Sequence, residues 1–224
     1  MPTASAWHPA LEDLPGEFAV FPLTGALLLP QGRLPLNIFE PRYLAMTLDA
    51  LAEGRMFGMI QPNPTEAPAP NGPGLYRVGC LGRLSSFSET EDGRLLITLT
   101  GLIRFRVAAE LAMRRGYRRV RADFTGFAGD LDLDARPTLD RDRLERALRA
   151  YFRAKGIDAN WQAVKDTPDA ALVTTLSMIC PFDPREKQAL LEAATLDERA
   201  EMLLALIEMG AHGGPGPEPG QPAS

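Results

Sequence analysis

The spacing of apolar residues changes once along this chain, and that change limits the folds open to it. Over residues 18–127, apolar residues recur at the two-residue period of strands, as in Leu34, Leu36 and Ile38. Over residues 138–210 they recur at steps of three and four, which is typical of helices with one buried face. The sequence therefore predicts an α+β protein, in which a β-rich unit with one helix precedes a C-terminal helical bundle.

Turn and helix-start residues divide the β-rich unit into short elements. Pro41 stands where a helix would begin, and Gly54 suits the end of that helix. The Asp-Gly step at 92–93 predicts a tight hairpin, and Gly101 allows a bend or bulge between two strands. The apolar run 26–29 is predicted to continue the first strand. So many short strands predict a small barrel or a curled mixed sheet.

Segments poor in apolar residues lie outside and between the two units. Residues 1–17 are predicted to be a loosely ordered lead-in, residues 128–137 a linker, and residues 211–224 a disordered tail. The Pro-rich stretch 61–74 cannot pair many backbone groups, so it predicts a loop. That loop is either mobile or part of a binding site.

The helical unit carries recognisable helix starts and inward faces. Residues 183–186, Asp-Pro-Arg-Glu, combine an N-cap, a proline at the first helical position and a glutamate at the third. Helical spacing places Leu172, Leu176 and Ile179 on one inward face. Trp161 is predicted to lie in a short segment between two helices.

Charge and cysteine usage argue against several classes of protein. The net charge is −5 and the pI about 5.2, which disfavours binding to nucleic acid or to anionic membranes. No apolar run approaches the roughly 20 residues that span a bilayer. Cys80 and Cys180 lie far apart and form no metal-ligand motif. The composition is typical of a reduced, cytoplasmic protein without a metal or cofactor.

No arrangement of residues typical of catalysis is found. The two histidines, His8 and His212, fall in the terminal segments, and the GxxxxGK[ST] phosphate loop is missing. The acidic clusters at 89–92 and 130–134 are predicted to be solvated loops instead of paired catalytic carboxylates. The sequence therefore predicts no catalytic residue and a noncatalytic protein.

Three segments resemble one known family. FPL…LP.GRLPLNIFEPRY near the start resembles the opening of the Lon N-terminal domain, in particular its stand-alone bacterial form. The run from Tyr76 to Val107 resembles that family's central strands, and Pro181 to Ile207 resembles its closing helices. The resemblance implies a PUA-like β-barrel and a role in recognising unfolded or extended polypeptide. It also implies a protease or chaperone as partner, while the ATPase module and the Ser-Lys dyad of full-length Lon are not found in this sequence.

The resemblance and the apolar patterning together suggest peptide-binding residues. An exposed edge would hold extended polypeptide by strand pairing and by pockets for alternate side chains. The competing interpretation is that these residues form core and a strand-to-helix corner. The candidates are Leu34, Leu36, Ile38, Phe39, Tyr43 and Trp161.

Two other functions remain open from the sequence. Arg104 with Arg106, and Arg119 with Arg121, would each share a strand face, and such a face would bind an anionic ligand such as RNA. An ordinary solvated sheet face is the competing interpretation. The second alternative is a small-molecule-binding protein or an enzyme with an unlocated carboxylate site.

Overall fold

The structure is a computed structural model and describes residues 9–212. Within that range the chain forms six strands, six α-helices and short 3-10 helices at Leu11–Asp13 and Ala128–Leu131. The strands are β1 (Glu17–Pro22), β2 (Arg33–Ile38), β3 (Met56–Ile60), β4 (Val78–Glu89), β5 (Leu95–Arg114) and β6 (Tyr117–Asp123). The helices are α1 (Pro41–Ala52), α2 (Arg141–Lys155), α3 (Trp161–Asp166), α4 (Asp169–Ile179), α5 (Pro184–Glu192) and α6 (Leu196–His212).

The strands form one mixed sheet that closes into a barrel. Their order is β2-β5-β4-β3-β1-β6, and an additional pairing between β5 and β6 closes the ring. The pair β1–β3 is parallel and the other pairs are antiparallel. Strand β5 pairs with β2 and β4 along its first part and with β6 along its last part. The small barrel and the mixed sheet agree with the predicted α+β architecture.

Aromatic and aliphatic side chains fill the barrel. Phe105 is fully buried, and its ring meets that of Phe18 edge to face at a centroid distance of 5.0 Å. Gly58 and Gly79 lie against Phe105, so close that a Cβ on either residue would come within 3 Å of its ring. The absence of side chains at these two glycines therefore makes room for the phenylalanine.

The segment before β2 crosses strand β5 instead of extending β1. Residues 26–29 were predicted as strand, but they form irregular structure, with Leu29 fully buried. Gln31 N donates to Gly101 O at 2.9 Å, and Gly101 N donates to Gly32 O at 2.8 Å. These bonds satisfy the backbone without a sheet ladder, which is why an apolar run here needs no strand. Gly101 does not separate two strands; β5 continues through it, with an irregular register beside it.

Replacing Gly101 by alanine is expected to destabilise the protein by about 1–3 kcal/mol, the usual cost of overpacking. An added Cβ would lie 2.0 Å from the carbonyl oxygen of Leu29, so the crossing segment would have to move. Thermal unfolding measures the effect. Gly16→Ala is the control, because no heavy atom lies within 4 Å of its added Cβ. Equal stability of both variants would contradict the tight crossing.

The chain divides into two compact units whose boundaries differ from the predicted ones. The first comprises residues up to Asp134 together with 178–192, and the second comprises 135–177 together with the residues from Ala193 onward. The prediction placed all of 138–210 in one helical unit. The difference arises because α5 bonds to the β-rich unit: Gln188 Nε2 donates to Val78 O at 3.1 Å.

Shorter segments also differ from the predicted organisation. The predicted lead-in contains a 3-10 helix and the first residue of β1, and the predicted linker contains the second 3-10 helix. Helix α6 continues to His212, into the predicted tail. Residues 1–8 and 213–224 of these two segments lie outside the described residues. Ile179 was predicted to face inward, but it is 66% exposed because α4 ends there.

Helix α2 packs with its inner face into the core of the second unit. Leu144, Leu148 and Tyr151 on its inner face are buried. The ring of Tyr151 lies so close to Gly210 on α6 that a Cβ there would be 2.5 Å from it. The helix ends at Gly156 in the left-handed conformation.

Candidate functional site

The predicted peptide-binding segment is divided between surface and core. Leu34 and Leu36 on β2 are half-buried, whereas Ile38 is 1% exposed. Tyr43, at the start of α1, is buried, and its ring centroid lies 4.1 Å from that of Phe21. Ile38 and Tyr43 therefore pack in the core and contribute little to the exposed surface of this segment.

Phe39 is the most exposed of the predicted contact residues in this segment. It follows the last residue of β2, and its side chain is 60% exposed. The guanidinium of Arg94 lies over the ring, 5.7 Å from the centroid. Pro41 begins α1 two residues later, as predicted, and fixes the position of this corner.

Strand β2 has an open edge. Within residues 9–212 it pairs with β5 alone. Pro35 stands opposite Thr98 in this ladder, and its missing N–H would face the open side of β2 instead of β5. In an antiparallel pair, the main-chain groups of successive residues point alternately toward and away from the neighbouring strand. Arg33 and Asn37 therefore point the same way as Pro35, with their N–H and C=O groups on the open side of β2.

Apolar side chains lie on the sheet next to this open edge, on β5 and, one strand further, on β4. Leu36, Ile97 and Phe87 are paired across β2, β5 and β4, so they share one face of the sheet. Phe87 is 50% exposed, and Leu96, on the other face, is 47% exposed. We define the edge surface as the open edge of β2 with Leu34, Leu36, Phe39, Phe87 and Leu96.

Sequence reasoning missed two members of the edge surface. Phe87 stands alone within the polar run 85–89, and an apolar residue in such a run is a recognisable signal. Leu96 gives no comparable signal, because it lies within a continuous apolar stretch. Its exposure follows only from the register of β5.

Trp161, the remaining predicted contact, belongs to the second unit. It begins α3, where Asn160 caps the helix by accepting a hydrogen bond from Ala163 N. Its ring centroid lies 5.9 Å from that of Phe152, and the guanidinium of Arg149 lies 4.0 Å from the ring centroid. These contacts hold α3 against α2.

Arg104 does not share an accessible face with Arg106. Arg104 is 3% exposed, and its Nη2 lies 2.8 Å from Oδ1 of Asp130. Arg104 Nη1 also donates to Leu191 O at 3.1 Å. Asp130 is therefore not a solvated loop residue, as the acidic cluster predicted, but the partner of a buried cation. Arg106 remains exposed.

The other predicted arginine pair is matched by a carboxylate. Arg119 and Arg121 lie on β6 opposite β1, and both guanidinium groups reach Glu17, at 3.7 Å and 2.9 Å. Nearby, Arg115 pairs with Asp49 at 2.7 Å. Neighbouring carboxylates thus offset the positive charge that an RNA backbone would require.

A cavity of about 360 Å³ lies beside the Pro-rich loop of the first unit. Its walls are largely apolar and include Pro62, Pro64, Pro73, Pro184 and the ring of Tyr76. Its polar lining, here called the rim, consists of Thr24, Asn63, Asp183 and Arg185, and all of these except Asn63 are exposed. The volume is at the small end of the range of about 300–1,000 Å³ typical of ligand pockets.

Gln61 joins the three segments that form this cavity. Its side chain is buried; Oε1 accepts a hydrogen bond from Gly25 N at 3.0 Å, and Nε2 donates to Pro184 O at 2.9 Å. Nε2 also donates to Gln188 Oε1 at 3.1 Å. The amide thus fixes the turn at residues 24–25 and the start of α5 relative to the strand end that carries Gln61.

The Pro-rich loop itself is anchored at both ends. Asn63 N donates to Gly74 O at 2.8 Å, and Arg118 Nη1 donates to Pro73 O at 2.7 Å. Arg118 is held in turn by Glu110, at 2.7 Å. Burial raises the pKa of Glu110, but hydrogen bonds from Arg118 and Asn71 outweigh it and leave the pKa below its ordinary value. These contacts favour a preformed loop.

No group of three or more His, Cys, Asp or Glu residues between 9 and 212 is arranged to hold a metal ion. His8 lies outside this range, and His212 is the last residue of α6. No described helix has the length and apolar character needed to cross a membrane.

Comparison with solved structures shows a shared fold. The Lon N-terminal domain protein from Xanthomonas campestris is 23% identical, with a TM-score of 0.60 over 84% of this chain and 97% of that one. The N-terminal domain of Mycobacterium avium complex Lon protease is 15% identical, with a TM-score of 0.59 over 85% and 97% of the two chains. The mixed architecture described above is therefore that of Lon N-terminal domains.

Comparison with curated sequences leads to the same family. Lon protease 2 of Myxococcus xanthus is 25% identical over 92% of this chain, and Lon protease of Anaeromyxobacter dehalogenans is 23% identical over 88%. This chain spans about a quarter of each relative, 25% and 23% of their lengths. The family model described as the ATP-dependent protease La (LON) substrate-binding domain matches residues 17–209. This chain therefore belongs to the LON substrate-binding domain family.

Proposed function

We propose that this protein is a noncatalytic recognition domain that binds extended polypeptide segments with apolar side chains at the edge surface. The observation that carries the proposal is the open edge of β2 with exposed Phe39 directly after the strand. Membership in a substrate-binding domain family supports the class of ligand, since the relatives are proteases that act on polypeptides. A protease or chaperone that receives the bound segment is the matching partner.

The binding mode follows from the geometry of β2. An extended segment would add a strand to the sheet by pairing with the main-chain groups of Arg33 and Asn37. Pro35 offers a carbonyl but no N–H, so the pairing is incomplete at the centre of the strand. This gap limits edge-to-edge association of the domain with itself while leaving room for weak, broad recognition.

Peptide binding to matched variants tests the proposal. The probe is an extended apolar peptide blocked at both ends, followed by fluorescence anisotropy. Phe39→Ala is expected to weaken binding about tenfold, which corresponds to about 1.4 kcal/mol for the loss of an exposed aromatic contact. Leu48→Ala is the matched control, since Leu48 is 50% exposed on α1 and lies outside the edge surface.

Two further measurements separate this mode from its alternatives. Asn37→Pro removes an N–H on the open side of β2. It is expected to weaken binding of the same peptide, because an added strand would lose one main-chain hydrogen bond. Raising the salt concentration is expected to change the affinity little, whereas RNA held by arginines would be released steeply. Equal affinity of the Phe39→Ala and Leu48→Ala variants would overturn the proposed surface.

A further inference from the structure

The cavity beside the Pro-rich loop combines an apolar interior with a single cation at its rim. Four prolines and Tyr76 form the walls, and Arg185 is the one Lys or Arg side chain among the described residues that line it. No hydrogen bond or ion pair from the guanidinium of Arg185 to another described side chain or carbonyl is found. An exposed guanidinium without an internal acceptor is available to an anionic ligand.

The acidic residue at the rim is already engaged. Asp183 caps α5: its Oδ1 accepts hydrogen bonds from Arg185 N at 2.7 Å and Glu186 N at 2.9 Å. The capping bonds satisfy the first N–H groups of the helix as well, so the backbone there offers no anion site. Recognition of a negative charge would therefore fall to the Arg185 side chain.

The cavity is also preformed. Gln61 ties its three walls together, and Lys187 Nζ donates to Gly25 O at 2.9 Å from the same helix. Proline walls carry little conformational freedom to lose when a ligand enters. A small, rigid, apolar cavity with one cation at its rim selects a compact apolar group that carries a carboxylate close to it.

We propose that this cavity binds the C-terminal residue of a polypeptide, with its apolar side chain between Tyr76 and the prolines and its α-carboxylate on Arg185. The side chain and the α-carboxylate of a C-terminal residue are attached to the same Cα. One residue can therefore place its side chain in the interior and its carboxylate at the rim. An internal residue offers the same side chain but no carboxylate. The inference rests on the proposed function, since it names the part of a polypeptide that this second site accepts.

The decisive experiment compares two peptides that differ only at the C-terminus. Both end in leucine, one with a free carboxylate and one as the amide, and isothermal titration calorimetry measures their affinities. The free carboxylate is expected to bind about tenfold more tightly, because it forms a charge-assisted hydrogen bond that the amide lacks. Arg185→Gln is expected to remove this preference. Arg153→Gln, at another exposed arginine near the end of α2, is expected to keep it.

A second variant and a small ligand complete the test. Thr24 is an exposed turn residue at the rim. Thr24→Phe is expected to fill the cavity and to weaken binding of the free-carboxylate peptide without unfolding the protein. N-acetyl-leucine carries the same chemistry without a chain. Tighter binding of the peptide than of N-acetyl-leucine assigns the site to polypeptide ends, whereas equal affinities would overturn that assignment in favour of a free apolar acid.

The two proposals fail separately. Equal affinity for acid and amide, or a preference that survives Arg185→Gln, would overturn the carboxylate site. Binding of the doubly blocked peptide at the edge surface would still stand in either case. If Phe39→Ala did not weaken binding of the doubly blocked peptide, the edge surface would be overturned. The comparison of the acid and the amide would be unaffected.

Discussion

Replacing Asp130 by alanine is expected to lower the free energy of unfolding by about 3–5 kcal/mol, the cost of leaving one buried charge without its partner. The side chains of Arg104 and Asp130 are only 4% and 8% exposed. Two guanidinium nitrogens of Arg104 donate to the carboxylate, Nε to Oδ2 at 2.9 Å and Nη2 to Oδ1 at 2.8 Å. Without that carboxylate, a permanently charged group would remain in the interior after losing its ion-pair partner, with the Leu191 carbonyl and the ring of Phe127 still among its contacts.

Urea unfolding followed by circular dichroism measures this loss. Glu40→Ala is the control, because Glu40 and Arg42 form an exposed pair with side chains 44% and 51% exposed, and such pairs contribute only about 0–1 kcal/mol. The double variant Arg104→Leu/Asp130→Leu is expected to be more stable than Asp130→Ala, since it leaves no buried charge. A loss for Asp130→Ala no larger than that for Glu40→Ala would contradict the assignment of a buried pair.

Phe105→Ala is expected to destabilise the protein by about 3–5 kcal/mol, the usual range for truncation of a buried aromatic residue. The ring is fully buried, and two of its neighbours, Gly58 and Gly79, have no side chain that could move into the vacated space. The cavity would therefore persist, and its lining would lose its contacts. Chemical denaturation gives the free energy, and Phe39→Ala supplies the same change at a site that is 60% exposed.

A double-variant cycle sharpens this second prediction. The atoms nearest to an added Cβ at Gly58 belong to side chains, those of Phe105 at 2.8 Å and Phe18 at 3.0 Å. Gly58→Ala is therefore expected to destabilise the native protein but to cost less in the Phe105→Ala background, where space is available. Independent, additive effects of the two changes would show that the ring does not occupy the space beside Gly58.

Local features of the fold were predictable because each depends on a few consecutive residues. Pro41 begins α1 through its own fixed φ. The capping box of α5 also forms as expected, since Asp183 N donates to Glu186 Oε2 at 2.8 Å and Glu186 N to Asp183 Oδ1 at 2.9 Å. The family resemblance, drawn from longer motifs, added the closed barrel that periodicity alone left open.

Features that depend on register or on distant segments were not predictable from the same evidence. The sequence places Asp130 in an acidic cluster, and only the fold brings it to Arg104. Ile38 and Phe39 are neighbours of similar apolar character, yet one is 1% and the other 60% exposed because the strand ends between them. The cavity draws on residues near 24, 62–76 and 184, so no local pattern could indicate it.

The return of α5 to the first unit has a consequence for synthesis on the ribosome. Gln61 and Val78 are made early, but their partners Pro184 and Gln188 emerge only after the helices α2 to α4 have been translated. A nascent chain that has reached Asp134 therefore carries every strand of the barrel without the helix that satisfies these buried groups. The second unit is also incomplete at that stage, since α6 is translated after α5. Neither unit can complete its folding during elongation before the other has been largely translated, so the nascent barrel remains exposed to association for longer than independent domains would be.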